Sequence, residues 1–409
     1  MKVWIKLLIG AILGIILGFL APENQRFMEG LIWLEQFTLR IGRYAIIPVL
    51  VFSLTIGVYE LRQDGQFWRL VLKNFLLIIG VSIFVIFIGV MATLVFPPAR
   101  IPILIEEQIE AIGLDIAGNI KDLFPFNMFS VLAGDGVYLF PVCVFAFFFG
   151  MGLSYDRNYS KPVIALADSL SRIFYHIAVF FIEILGFIMI ALSSYWTIRF
   201  REILRADVYF DLIFLLGVIG AVLSFVIFPL LLYLIRPKSN PWAVLYGSLG
   251  PGIAAFFSGD INFSLPVLLQ HTKENFNVRR RSSTVSLTLF STFCRAGSAM
   301  VAAVAFIVII KSYSSLGITL AEVMDISIRV FVISFLLARH PGDGAYTALA
   351  VLCLGYGGGF EAGYLILKPL AFYLIAVGTF LDVMIASFAT FAVARVSGFV
   401  ETKNPARFI

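Results

Sequence analysis

Two long apolar stretches near the end of the chain each carry a single ion near the middle. Arg295 lies within 282–311, and Asp382 lies within 367–396. A charge at the centre of a bilayer costs roughly 2.5–3.5 kcal/mol on insertion scales, so it normally faces a partner, a cavity or a substrate. A guanidinium can hold a substrate carboxylate in a forked contact, and a carboxylate can receive an ammonium group. These residues predict a site for a small polar solute. Buried pairing with each other, or with Asp260 or Asp343, is the alternative.

Each charged stretch follows a shorter apolar segment that is interrupted by Gly, Pro and an acid. The first segment, near 245–268, contains SGDIN, and the second, near 330–352, contains HPGDG. Gly permits positive φ, Pro breaks a helix, and Asp or Asn caps a helix start. A broken segment followed by a charged span, occurring twice, is typical of a membrane carrier with a site at mid-depth. We therefore predict two re-entrant hairpins, with ordinary loops between short helices as the alternative.

The predicted hairpin tips supply most of the candidate site residues. His340 is a candidate proton carrier because imidazole titrates near neutral pH. A satisfied or solvent-facing histidine is the alternative. The tip residues are Asp260, Ile261 and Asn262 in the first hairpin, and His340, Pro341, Gly342, Asp343 and Gly344 in the second.

The composition places the whole chain in a membrane. Of its residues, 60% are hydrophobic and 13% are charged, and the mean hydropathy is +0.98. Soluble proteins have roughly a quarter of their residues charged. Apolar runs of about 20 residues predict spanning helices and exclude barrel strands. We predict an all-α integral membrane protein, one embedded unit over 1–409, with spans near 3–21, 41–60, 70–96, 127–154, 165–195, 211–236, 282–311 and 367–396.

The charges and cysteines narrow the possible partners. The net charge of +5 is mostly loop charge, which orients membrane proteins, so nucleic-acid binding is not expected. Basic residues at both chain ends and in Arg279–Arg281 predict a plasma (inner) membrane protein with both termini cytoplasmic. We interpret Arg279–Arg281 as a topology anchor, with an anionic-lipid contact as the alternative. The three cysteines all lie in apolar stretches, so no disulfide framework, metal site or cofactor is predicted.

The order of these pieces resembles the dicarboxylate/amino acid:cation symporter family, which has the glutamate-transporter fold. RYAIIPVLVFSLTIGVYEL is similar to the second helix of that family, and GDINFSLPV and HPGDGA stand where it has its two hairpin tips. The resemblance covers nearly the whole chain. It implies a homotrimer whose protomers each have eight spans, two re-entrant hairpins, a fixed scaffold and a transport domain that moves like an elevator. We assign approximately 1–68 and 127–236 to the scaffold, and 69–126 and 237–409 to the transport domain.

The residues that bind substrate and sodium in that family are only partly present here. The family unwinds its seventh helix at N-M-D-G-T, and the matching residues are Cys294-Arg295-Ala296-Gly297-Ser298, without the acid. Asp260-Ile261-Asn262 replaces the serines of the first tip. In the eighth helix Asp382 matches the acid that takes the substrate amino group. Further along the eighth helix, the family has an Arg, an Asn and a sodium-binding Asp, and this chain has Ile385, Ala389 and Val393 in those places. The resemblance therefore implies Asp382 and Ser298 as substrate ligands.

These departures predict an elevator-type secondary transporter that is not coupled to sodium, because Arg295 can stand where a cation would otherwise bind. Coupling is expected from protons through Asp260, Asp343 or Asp382, or to be absent, as in an exchanger or facilitator. We expect the substrate to be a neutral or zwitterionic amino acid, with a dicarboxylate as the second choice. A sodium-coupled dicarboxylate or glutamate symporter and a pore or non-transporting protein are the alternatives. No enzymatic activity is expected, and the expected partners are the small-molecule substrate, membrane lipid and two further copies of the chain.

Overall fold

The computed structural model describes residues 2–21, 24–102, 114–204, 208–235, 240–313, 318–400 and 408. Within these ranges the chain is almost entirely helical, with one isolated antiparallel bridge between Val278 and Val400. Seven helical segments of the described chain are long and apolar enough to cross a membrane. The predicted all-helical architecture is therefore confirmed. Residues 401–407, which contribute to the predicted cytoplasmic C-terminus, lie outside the described ranges.

The first half of the chain contains a bent helical pair where a single span was predicted over 41–60. The bend is at Ala45, and Pro48 explains it, because proline has no N–H for the Tyr44 carbonyl and its ring clashes with that carbonyl. The helices of this half are α1 (Val3–Leu20), α2 (Gln25–Tyr44), α3 (Ile46–Gln63), α4 (Phe67–Val95), α5 (Ile116–Asp122), α6 (Phe140–Leu153) and α7 (Arg157–Leu204).

The segment predicted as a continuous span over 127–154 is built differently. A 3₁₀ turn covers Met128–Ala133, and the 14-residue helix α6 follows only at Phe140. Gly136, with φ at 76°, lies in the irregular stretch between them. A 14-residue helix is about 21 Å long, which is less than the roughly 30 Å of hydrocarbon that a full span crosses. Where the resemblance implied eight spans, the described residues form seven segments long enough to cross a membrane, and α6 is a shorter apolar helix.

The second half contains both predicted hairpins as pairs of helices, each longer than predicted. Residues 211–235 of the predicted span 211–236 are helical, with a π turn at Leu223–Ile227 just before Pro229, and residue 236 lies outside the described ranges. The helices are α8 (Phe210–Val222), α9 (Phe228–Ile235), α10 (Pro241–Ser258), α11 (Ile261–Glu274), α12 (Arg280–Phe293), α13 (Ala296–Tyr313), α14 (Leu320–Leu336), α15 (Gly344–Tyr356), α16 (Gly363–Ile366) and α17 (Ala371–Val396).

The core of the molecule is formed by α13 and α17, which are buried along almost their whole length. The helices α4, α10, α12 and α15 pack around them, whereas α1 packs on α7, and α3 packs on α6 and α7. The helices α8 and α9 contact α10, α13 and α17. Contacts therefore group Phe210–Ile235 with the hairpins, although the sequence assigned it to the scaffold. The division into scaffold and transport domain concerns motion and stays a prediction.

Candidate functional site

The two central ions form a buried pair where the break between α12 and α13 faces α17. Arg295 lies in the break between α12 and α13, and Asp382 lies near the middle of α17. Arg295 Nε is 3.1 Å from Asp382 Oδ2, and the two side chains are 1% and 0% exposed. The contact is an ion pair without the alignment of a hydrogen bond. Of the alternatives that the sequence left open, the structure therefore has Arg295 and Asp382 paired with each other.

Asp382 also caps the start of α13 from the neighbouring helix. Its Oδ1 accepts hydrogen bonds from the Gly297 N–H at 2.7 Å and the Ser298 N–H at 3.2 Å. Its Oδ2 accepts one from the Ser298 hydroxyl at 2.6 Å. A helix start has free N–H groups and a partial positive charge, so a carboxylate there is stabilised. Asp382 thus accepts three hydrogen bonds from the start of α13 and has Arg295 as its ion-pair partner.

The guanidinium of Arg295 also binds the tip of the second hairpin. Arg295 Nη2 donates hydrogen bonds to the carbonyls of His340 at 3.2 Å and Pro341 at 3.3 Å. These carbonyls follow the 3₁₀ turn Leu337–Arg339, where the chain leaves helical geometry and its carbonyls lack helical partners. Carbonyls at such a break are suited to a cation. In this chain, the cation they hold is a side chain.

Gly344 allows this close approach. A Cβ atom at Gly344 would lie 2.6 Å from Arg295 Nη2 and 3.5 Å from the Ser298 hydroxyl oxygen. Any side chain there would displace the guanidinium or the start of α15. The glycine of the second tip is thus required by packing against Arg295, in addition to any role in turning the chain.

The first hairpin tip is organised around Asp260. Gly259 ends α10 with φ at 62°, and Asp260 then caps α11 by accepting hydrogen bonds from the N–H groups of Asn262 and Phe263. The other carboxylate oxygen of Asp260 forms an ion pair with Arg43, at the end of α2. Asp260 is 1% exposed. Its charge is therefore matched by Arg43 rather than by Arg295.

The two tips meet directly. The Ile261 N–H donates a hydrogen bond of 3.2 Å to the Pro341 carbonyl, which also accepts one from Arg295. Gly342 lies beside Asp260, since a Cβ atom built on it would be 3.8 Å from Oδ2. The Asn262 amide turns away and donates to the carbonyls of Gly136 at 2.9 Å and Val137 at 2.7 Å. The predicted tip residues thus converge, although Asn262 contacts the chain before α6.

His340 and Asp343 form a pair on the more open side of the second tip. His340 Nδ1 is 3.1 Å from Asp343 Oδ2, and the Thr347 hydroxyl donates to the same oxygen at 2.9 Å. The side chains of His340 and Asp343 are 24% and 53% exposed. Among the predicted site acids, Asp343 is thus the accessible one, since Asp260 and Asp382 are buried.

Sequence reasoning missed Arg43, Thr347 and the carbonyls of Gly136 and Val137. Arg43 had a signal, because it is an ionisable residue just inside the predicted span 41–60. The backbone carbonyls had no signal, since every residue has one. Thr379 was missed too; its hydroxyl donates to the Gly259 carbonyl at 3.0 Å and ties the first tip to α17.

Ile385 and Ala389, which replace polar residues of the resembling family, lie away from the ions. Both line an apolar cavity of about 300 Å³ between α4, α9 and α17, together with residues such as Leu77 and Phe228. Neither substitution is compensated by a polar group in that lining. Among the described residues, the polar groups of the site named above therefore lie outside this apolar cavity.

A multi-pass helical membrane protein with two hairpins whose tips meet at a buried ion pair belongs structurally to the class of membrane carriers with discontinuous helices. Residues 3–396 match the model of the sodium:dicarboxylate symporter family, and the chain belongs to this family. The predicted family and its glutamate-transporter fold are thus confirmed. The family consists of transporters, so the expectation that the chain is not an enzyme agrees with it.

The relatives are distant. The proton/sodium-glutamate symport protein of Bacillus subtilis is 23% identical over 252 residues, covering 56% of this chain and 58% of that protein. A putative sodium-dependent excitatory amino acid transporter of Caenorhabditis elegans, glt-6, is 29% identical over 133 residues, covering 32% of this chain and 24% of its own length. The serine/threonine transporter SstT of Acinetobacter baylyi is 24% identical over 390 residues, covering 93% of this chain and 90% of that protein. The chain therefore spans under two thirds of the first two relatives and most of the third.

Proposed function

We propose that this protein is an elevator-type secondary transporter of a small amino acid or a dicarboxylate that works without sodium. The observation that carries the proposal is the position of Arg295, whose guanidinium contacts Asp382 and the carbonyls of His340 and Pro341. A fixed positive charge at the meeting point of broken helices supplies internally what a bound cation would supply. Proton coupling or exchange is then the proposed mode of transport.

Electrostatics supports the exclusion of sodium from this place. Two unit charges about 4 Å apart repel by about 4 kcal/mol at the effective dielectric typical of protein surfaces, and more in a drier site. A sodium ion among these carbonyls would meet that repulsion from Arg295, offset in part by the Asp382 carboxylate, and would have to displace the guanidinium from the His340 and Pro341 carbonyls. The acids that the family resemblance places nearby are also absent, because Ala296 and Val393 stand in their positions.

The geometry favours a different ligand for the substrate amino group than the sequence suggested. Asp382 would have to release Ser298 or Arg295 before it could receive an ammonium group. Asp343 is half exposed and is paired with His340, so it can exchange that partner for an ammonium group without burying a new charge. We therefore propose Asp343 as the accessible acid, and His340 with Asp343 as the pair through which a proton is carried. A relative that transports serine and threonine and relatives that transport glutamate fit the two proposed substrate classes.

Uptake by purified protein in proteoliposomes tests the proposal. Labelled serine, threonine, alanine, glutamate and succinate would be supplied in sodium, lithium or choline buffers, with and without a proton gradient. We expect saturable uptake of at least one amino acid or dicarboxylate that is the same in all three salts. Uptake that requires sodium would favour the sodium-coupled symporter suggested by the names of two relatives.

Variants separate a carrier from a pore. Arg295→Ala and Asp382→Ala should abolish uptake, whereas Asp325→Ala should leave it unchanged. Asp325 is the matched control, because its carboxylate pairs with Arg329 on the exposed face of α14, four residues away, and Arg329 keeps its hydrogen bond to the Gly355 carbonyl when that carboxylate is removed. Uptake that rises linearly with concentration and persists in both site variants would sink the carrier hypothesis.

A further inference from the structure

Charged pairs connect two groups of helices that otherwise pack mainly within themselves. We call α1–α3, α6 and α7 the frame, and α4 with α8–α17 the hairpin unit. Within the frame, α1, α2 and α3 pack on α7, and within the hairpin unit α10, α12 and α13 pack on α17. Where α12 and α11 cross the frame, arginines on one side meet carboxylates on the other.

The outer set of pairs lies where α3 ends and α12 begins. Arg281 on α12 pairs with Asp64, which follows the end of α3. Arg280 pairs with Asp168 on α7 and lies 3.7 Å from Glu60 Oε1 on α3. The acidic side chains are 31–41% exposed, so water reaches this set. The arginine run that the sequence suggested as a topology anchor therefore also joins the hairpin unit to the frame.

The inner set lies at the first hairpin tip. Arg43 of the frame pairs with Asp260, whose side chain is 1% exposed, and the Asn262 amide donates to the Gly136 and Val137 carbonyls before α6. The ring of Phe263 lies directly against Gly42, where no larger residue would fit. Pro48 creates the bend beside which this tip docks. The inner set is thus a buried, shape-matched contact, unlike the outer one.

We propose that these two sets form an ionic latch that holds the hairpin unit against the frame and sets the rate at which it moves. The inference rests on the proposed elevator function. Sliding of the hairpin unit separates Arg281 from Asp64 and Arg43 from Asp260. Water solvates the outer charges as soon as they separate, so breaking the outer ion pairs costs little free energy. Separating a buried charge from its partner is strongly disfavoured. The inner pair is therefore the main barrier, and the outer pairs tune it.

A charge-swap series tests the outer set. Asp64→Arg, Arg281→Asp and the double swap would be compared by hydrogen–deuterium exchange of the full-length protein in nanodiscs and by initial uptake rate. We expect each single variant to raise exchange in peptides over 60–66 and 278–286, and to change uptake by about two- to five-fold, the effect of one partly exposed pair. The double swap should restore both quantities.

The pair Asp325–Arg329 gives the control, because it is also a partly exposed ion pair, at 46% and 44% against 41% and 20% for Asp64 and Arg281, but both of its residues lie on α14. Its single variants should leave exchange at the α3–α12 contact unchanged. The latch is contradicted if exchange and uptake in the double swap of Asp64 and Arg281 are no closer to wild type than in the single variants. It is also contradicted if the single variants change exchange no more than the α14 control variants do.

Asp260→Asn tests the inner set, since asparagine keeps the cap of α11 but removes the charge. Exchange over 258–266 should rise more than it does at the outer contact in Asp64→Asn. Equal or smaller effects at Asp260 would contradict the inner barrier. The exchange measurement does not depend on transport, so it separates the two hypotheses. If the protein shows no uptake but the double swap restores protection from exchange, the latch is supported and the proposed function is contradicted. If the protein transports but the double swap does not restore protection, only the latch is contradicted.

Discussion

At the scale of single residues, the Arg295–Asp382 pair has a structural role that constrains any functional one. Both side chains are buried, so removal of either partner leaves an uncompensated charge. We expect Arg295→Met and Asp382→Asn each to lower the free energy of unfolding by about 3–5 kcal/mol. The double variant should recover much of that loss, because no isolated charge remains.

Thermal unfolding in detergent, followed by intrinsic fluorescence, measures this coupling. Asp325→Asn on the exposed face of α14 is the control and should change stability by less than about 1 kcal/mol. Losses that simply add in the double variant would show that the two charges do not depend on each other.

Gly344 gives a second prediction at the residue scale. Gly344→Ala should lower stability by about 1–3 kcal/mol, the usual cost of overpacking, and should weaken transport, because the new methyl group displaces the Arg295 guanidinium. Gly355→Ala on the same helix α15 is the matched control. No atom lies within 4 Å of a Cβ atom built there, so alanine should be neutral or stabilise the helix. Melting temperatures and uptake rates of the two variants decide the point; equal behaviour would refute the packing role of Gly344.

At the scale of elements, the turn of the first hairpin depends on one backbone conformation. Gly259 has φ at 62°, and a Cβ atom there would also lie 2.9 Å from Ile375 Cγ2. Gly259→Ala should therefore cost about 1–2 kcal/mol or more. Gly80→Ala on α4, where a Cβ atom meets open space, should not. Thermal unfolding of both variants tests whether the loss of stability is specific to the hairpin tip or follows from replacing any glycine.

The elements also differ in how well the sequence predicted them. The two hairpins were found because Gly, Pro and Asp interrupt apolar runs, and the structure places their turns at Gly259–Asp260 and His340–Asp343. The length of helix α6 was overestimated, because hydropathy alone does not reveal that the chain is irregular at Gly134–Gly136. The bend at Ala45 was missed, although Pro48 was visible in the sequence.

At the scale of the whole molecule, the resemblance to the family implies a homotrimer, and this stays a prediction. In detergent, light scattering on the eluting protein should give a polypeptide mass of about three times the 45.4 kDa of one chain. A measured polypeptide mass equal to that of one chain would contradict the predicted homotrimer.

The sequence by itself determined the membrane class, the two hairpins and the two central ions, because hydropathy, helix breakers and buried charges are local properties. It also indicated that the stretch around Arg295 has lost the acid that the family carries there and has a cationic side chain beside that position. Only the tertiary structure decided the partners: Asp382 with Arg295 and the start of α13, Asp260 with Arg43, and Asp343 with His340. Pairing of ions is decided by which helix ends meet in space, and residues 217 positions apart, such as Arg43 and Asp260, carry no sequence signal of that meeting.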